Sequence, residues 1–152
     1  MIDEKKIKLF FVDDNALFLK VLQFEFVKHP EFVIETFATG ELCIKHLPLP
    51  DDKNPSNKPD VIVLDYHLDG IDKNAMNGLQ VLDVIKASHP NIPVIMLSSQ
   101  DKIDVAVNCM KHNAFDYIIK SETAFIRLQK AIATILHDQK REKELSWYMD
   151  RM

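Results

Sequence analysis

Five residues have the types and placement to do chemistry together. They are the adjacent pair Asp13 and Asp14 in "KIKLFFVDDN", Asp65 directly behind "VIVL", Ser98 in "VIMLSSQ" and Lys120 closing "DYIIK". Each stands at the end of an apolar run. Adjacent carboxylates repel, and desolvating either is costly unless a cation or hydrogen-bond donors compensate. The pair therefore marks either a solvated strand end or a site aimed at something positive. Taken singly, Ser98 reads as a satisfied turn hydroxyl and Lys120 as a surface lysine. Asp65 is harder to dismiss, because a buried run rarely ends in an acid.

The elements that must position these residues alternate regularly along the chain. Ile7–Val12 reads as a strand and 16–28 as a helix, followed by a strand at 32–38 and a short helix at 40–47. The segment 48–59, rich in Pro, Asp, Asn and Lys, reads as an exposed loop. "VIVLD" at 61–65 is a continuous apolar run of the kind buried on both faces of a sheet. A helix at 78–88 follows, with Leu79, Leu82 and Ile85 or Lys86 on its inner stripe. Next come a strand at 92–99, a helix at 102–112 and a strand at 116–120. A last helix starts near Glu122, with Phe125, Leu128, Ile132 and Ile135 at helical spacing. Five βα units predict a doubly wound parallel sheet covered by helices on both sides. Ligands of such sheets sit beyond the carboxyl ends of the strands. All five residues fall at those ends, so three acids, a hydroxyl and an amine converge on one edge.

Composition sets the frame. A chain of 152 residues with 47% hydrophobic and 28% charged residues is one ordinary domain, and 3 Gly with 7 Pro argue against low complexity. A net charge of −4 gives no basic footprint, so direct nucleic-acid binding by this segment is not expected. Cys43 and Cys109 match no metal or redox spacing and read as buried thiols. No run is long enough to span a bilayer and the start "MIDEKK" is no signal peptide, so the expected location is the cytoplasm, with no membrane partner.

In "FFVDDN", "VIVLDYHL", "NGLQVL", "VIMLSSQ" and "NAFDYIIK", in that order, the chain resembles the receiver domain of bacterial two-component response regulators, the chemotaxis-regulator type. The resemblance covers about residues 6–136, leaving 137–152 as a charged helical extension or linker. It implies a flavodoxin-like α/β fold with strand order 2-1-3-4-5 and a phosphorelay signalling switch rather than a turnover enzyme. Asp65 would be the phosphoacceptor, taking a phosphoryl group from a histidine kinase or phosphotransfer protein. Asp14, Asp65 and the backbone carbonyl of His67 would ligate Mg²⁺, with Asp13 acting mainly through water. Lys120 would bond a phosphoryl oxygen, Ser98 would be the switch hydroxyl and Tyr117 the switch aromatic. Physical chemistry points the same way: three nearby carboxylates are unstable as a trianion, and oxygen ligands with open positions suit Mg²⁺. The His67 imidazole reads as an exposed loop group with no ligand role. An output domain, a downstream protein and a homodimer stay open as further partners.

Some positions depart from the family pattern. "LDGIDKNAMNG" makes a longer loop after the phosphoacceptor, expected to lie over the site. Asn113 stands where Gly is frequent, and Asn tolerates the left-handed conformation. Ser121 stands where many members carry a proline in cis linkage. Because cis costs an ordinary residue about 2.5–4 kcal/mol, a trans Lys120–Ser121 bond is expected, with Ser121 free to cap the last helix. The first helix, "ALFLKVLQFEFVKH", is apolar beyond one stripe and either packs deeply or docks a phosphodonor. The alternative reading is a haloacid-dehalogenase-like phosphatase with an Asp nucleophile. It requires a second acid two residues after the first, and Asp65-Tyr66-His67 lacks it. Flavin binding fails for want of a Ser/Thr/Gly-rich loop after strand one, and the intact acids oppose an unphosphorylated scaffold.

Overall fold

Two strands of unbroken apolar character, β3 (Val61–Asp65) and β4 (Val94–Ser98), are buried at every residue and form the middle of the sheet. The computed structural model describes residues 6–52 and 57–151; the chain's charged start and the middle of the 48–59 loop lie outside them. The remaining strands are β1 (Ile7–Val12), β2 (Phe32–Phe37) and β5 (Asp116–Ile119), and all neighbours pair in parallel in the order β2-β1-β3-β4-β5. The helices are α1 (Ala16–Val27), α2 (Gly40–Lys45), α3 (Gly78–Ser88), α4 (Ile103–Lys111) and α5 (Ala124–Asp150). The expected fold and strand order are both present.

Period-two alternation divides the core between the two faces of the sheet. Leu9, Phe11, Val61, Val63, Ile95, Leu97 and Ile118 point to the side covered by α1 and α5, where they meet Leu22, Phe26, Leu128 and Ile132. Phe10, Val12, Ile62, Leu64, Val94 and Met96 point to the other side, against Cys43, Val81, Leu82, Ile85 and Cys109 of α2, α3 and α4. Both cysteines are free, buried thiols, and burial pushes Cys43 up to about 12, which keeps it unreactive. Asn113 has φ of 73°, the left-handed conformation expected of it.

Three local readings need correction. α5 begins at Ala124 rather than near Glu122, and Thr123, not Ser121, holds the N-cap position without a side-chain capping bond. The Ser121 hydroxyl instead accepts from the Thr123 N–H at 3.4 Å, making a turn ahead of the helix. On α3, Val81 joins Leu82 and Ile85 on the buried stripe, while Leu79 is only partly covered. Lys86 turns its amine to the Ile92 carbonyl at 2.7 Å. The Lys120–Ser121 peptide is trans, as are all others described.

Candidate functional site

Sheet register carries the site residues to one place. Val12 pairs with Leu64, Asp65 with Leu97, and Ser98 with Ile119. The residue after each strand's last pairing therefore steps along a common edge: Asp13 beside Asp65, Ser98 one place on, Lys120 beyond it. The Lys120 N–H bonds the Ser98 carbonyl at 2.7 Å, which ties the last two together. Alternation then sorts the side chains. Asp13, Asp65 and Lys120 continue the rows that face α1 and α5, whereas Ser98 and Tyr117 continue the rows that face α4.

Asp13, Asp14 and Asp65 bring carboxylate oxygens within 4.8 Å of one another. Asp13 and Asp65 are buried, and Asp14 is half-buried. Asp13 is fully engaged: one oxygen accepts from the Asn15 N–H at 2.9 Å and the other from the Lys120 amine at 2.7 Å. That amine also lies 3.5 Å from an Asp65 oxygen. The other Asp65 oxygen accepts from the His67 N–H at 3.3 Å. Burial, and then the negative charge of Asp13, push the Asp65 carboxyl up to about 7, against the pull of Lys120 and the His67 N–H. The site is short of positive charge. Three clustered oxygen donors of this kind fit a hard divalent cation.

On the α4 side, the backbone of Gln100 joins two of the expected residues. Its N–H donates to the fully buried Ser98 hydroxyl at 3.1 Å, and its carbonyl accepts from the Tyr117 hydroxyl at 2.6 Å. Burial raises the Tyr117 phenol above its ordinary value, with the Ser98 hydroxyl pulling the other way.

The long loop after β3 comes up to the Asp14 edge of the site. It leaves and returns through the Gly78 N–H to Tyr66 carbonyl bond of 2.8 Å. A Cβ on Gly70 would stand 3.1 Å from an Asp14 oxygen, and the Glu41 carboxylate of α2 anchors the loop through the Met76 N–H at 3.1 Å. His67 corrects its reading as an exposed group. It is half-buried against Tyr66, and its Nε2 is enclosed with no hydrogen-bond partner among the described residues.

One contributor was not foreseen. The Phe18 ring of α1 lies under the Lys120 amine, 4.3 Å from ring centroid to nitrogen. Its sequence signal is the Asn15 cap: the Asn15 side chain accepts from the Phe18 N–H at 3.1 Å, fixing the first turn of α1 beside the acid pair. An aromatic residue three after such a cap points back toward the strand ends.

A five-stranded parallel sheet in this order, with acids, a serine and a lysine at its carboxyl edge, defines a receiver-type domain. The family model for the response regulator receiver domain matches residues 9–133, and the chain belongs to that family. It is similar to the nitrogen assimilation regulatory protein NtrX of Azorhizobium caulinodans, 34% identical over 83 residues, covering 53% of this chain and 18% of that protein. It is also similar to the regulatory protein LuxO of Vibrio vulnificus, 42% identical over 62 residues, covering 41% of this chain and 13% of that protein. The chain thus spans less than a fifth of the length of these curated relatives. Among solved structures it resembles the signal receiver domain of a protein named as a Luxo repressor from Vibrio parahaemolyticus, at a TM-score of 0.74 and 25% identity, covering 92% of this chain and 97% of that one. A CheY-like receiver domain from Methanospirillum hungatei shares the fold at a TM-score of 0.70 and 17% identity, covering 90% and 99%.

Proposed function

We propose that the chain is a phosphorylation-controlled signalling switch of a phosphorelay, with Asp65 as the phosphoacceptor. The observation that carries this reading is the meeting of a buried strand-end carboxylate with the Lys120 amine at 3.5 Å and two further acids. The Asp65 carboxylate attacks the phosphorus of a phosphohistidine. The P–N bond breaks, its electron pair stays on the imidazole nitrogen, and the product is an acyl phosphate on Asp65. Lys120, already beside Asp65, then bonds a phosphoryl oxygen.

Asp14, Asp65 and the His67 carbonyl are the ligands we assign to Mg²⁺, with Asp13 acting through water. Mg²⁺ bound there supplies charge neutralisation to the acids and to the phosphoryl oxygens. Drawing Ser98 toward a phosphoryl group would pull on the Gln100 N–H and loosen the carbonyl that holds Tyr117. A phosphate at one edge is thereby reported on the α4 face.

The phosphodonor, a histidine kinase or phosphotransfer domain, docks on the outer side of α1. Leu19, Leu22 and Phe26 take its inner side to the core, but Leu17, Val21, Phe24 and Val27 remain exposed. The outer apolar face is thus separate from the packed one. Incubation with acetyl phosphate and Mg²⁺, followed by intact-mass measurement, tests the assignment. One added phosphoryl group is expected on wild-type protein and none on Asp65→Asn. Undiminished uptake by that variant would overturn the reading.

A further inference from the structure

Lysine reaches its target on four methylenes, each free to rotate, so an amine held at one point needs more than a single acceptor. The Lys120 amine has an acceptor in front, Asp13 at 2.7 Å with Asp65 at 3.5 Å, and the face of Phe18 behind, 4.3 Å away. Phe18 is itself packed against the core formed by α1, α5 and their side of the sheet. The contacts close a circuit. Asp13 accepts from the Asn15 N–H, the Asn15 side chain accepts from the Phe18 N–H, the Phe18 ring faces the Lys120 amine, and that amine returns to Asp13. Every member is held from two sides. A ring face carries negative charge density toward the cation, and the attraction grows where water is excluded, as it is around a lysine whose side chain is only 19% exposed.

We propose that Phe18 is a positioning residue for Lys120: its ring holds the ammonium over Asp13 and Asp65, so that the amine meets an arriving phosphoryl group without a search. The role in transfer rests on Asp65 being the phosphoacceptor, whereas the ring–ammonium contact itself does not.

Two measurements separate these. In the unphosphorylated full chain, NMR of ¹³C,¹⁵N-lysine-labelled protein should show Lys120 ε-methylene protons shifted upfield by the ring, a shift lost in Phe18→Leu and kept in Phe18→Tyr. With acetyl phosphate and Mg²⁺, Phe18→Leu should be phosphorylated about three- to tenfold more slowly than wild type. Phe18→Tyr should stay close to wild type. Mono-, di- and trifluorinated phenylalanine placed at position 18 keeps the ring's shape while draining its face of charge, so the rate should fall stepwise along that series. This series also answers if Phe18→Leu does not fold. An unshifted Lys120 signal in wild type, or a rate indifferent to fluorination, would overturn the proposal. Wild-type protein that shows the shifted signal but takes no phosphate would sustain the clamp and overturn the phosphoacceptor reading instead.

Discussion

Asp65 carries the clearest energetic signature in the molecule. Its carboxyl titrates near 7 in the folded protein, above the ordinary carboxylate range, because burial and Asp13 disfavour the anion. The folded state therefore keeps a proton where the unfolded chain has lost it. Folding gains from this group below about pH 4 and loses that gain as pH rises toward 7. Asp65→Asn should be more stable than wild type by about 1–3 kcal/mol near pH 8 in chelator, and nearly equal to it near pH 4. Urea denaturation at both pH values checks this, and a difference independent of pH would contradict it. The acid pair divides differently. Both Asp13 oxygens are taken by Asn15 and Lys120, while among the described residues no donor holds the Asp14 carboxylate. Asp14→Ala should thus weaken Mg²⁺ binding by well over tenfold and Asp13→Ala by less, about the tenfold typical of a residue acting outside the ligand shell. Titration of each variant with Mg²⁺ decides the order. Asp13, Asp14, Asp65, Ser98 and Lys120 were legible in sequence because each follows an apolar run, a one-dimensional signal. The Gln100 backbone was not, since its role arises from contacts between distant elements; for Phe18 the Asn15 cap marks the helical turn but not the contact with Lys120.

Elements meet at a few crowded points, and these decide how far the sequence can be altered. Phe26 of α1 is fully buried and stacks edge-on against Phe11 of β1, Phe32 of β2 and Phe125 of α5, with centroids 5.2, 5.4 and 5.0 Å away. Phe26→Ala should cost about 3–5 kcal/mol, measured by chemical denaturation, because four elements share that one ring. Gly78, at the start of α3, is bound by close approach. A Cβ there would stand 2.6 Å from the Tyr66 Cα and nearer still to the Asp65 carbonyl, both backbone atoms that cannot turn aside. Gly78→Ala should therefore cost about 2–3 kcal/mol or more and disturb Asp65 itself, lowering phosphate uptake as well as stability. Element order and type were readable from periodicity alone, since β3 and β4 are fully buried runs and the helices repeat at 3.6 residues. The start of α5 and the inner stripe of α3 were not. Whether Ser121 or Thr123 opens a helix depends on turn geometry set by the preceding strand, and Val81 is drawn inward by Gly40 of α2, whose missing side chain lets the two helices approach.

At the scale of the whole molecule, the site and the far end of the chain lie at opposite edges. α5 starts just after Lys120, at the acid edge, and runs back past the sheet for 27 residues, about 40 Å. Its buried stripe ends at Ile135, and every described residue from 140 onward is exposed, including Leu145, Trp147, Tyr148 and Met149. The last turns stay helical through composition, since Gln, Lys, Arg, Glu and Leu are strong helix formers and no Gly or Pro interrupts them. Stability drawn from propensity is local and is not shared with the sheet. A chain ending at residue 143 should therefore unfold within about 0.5 kcal/mol of the full chain, as expected for changes outside the core. Its helical signal in circular dichroism should fall only by the residues removed. Phosphorylation of Asp65 by acetyl phosphate should proceed at an unchanged rate, because no described residue beyond Ile135 packs beneath Lys120 or the acid cluster. A loss of several kcal/mol on truncation, or a slowed uptake of phosphate, would mean that the exposed aromatic end folds back onto the domain in solution and that α5 acts on the site along its length.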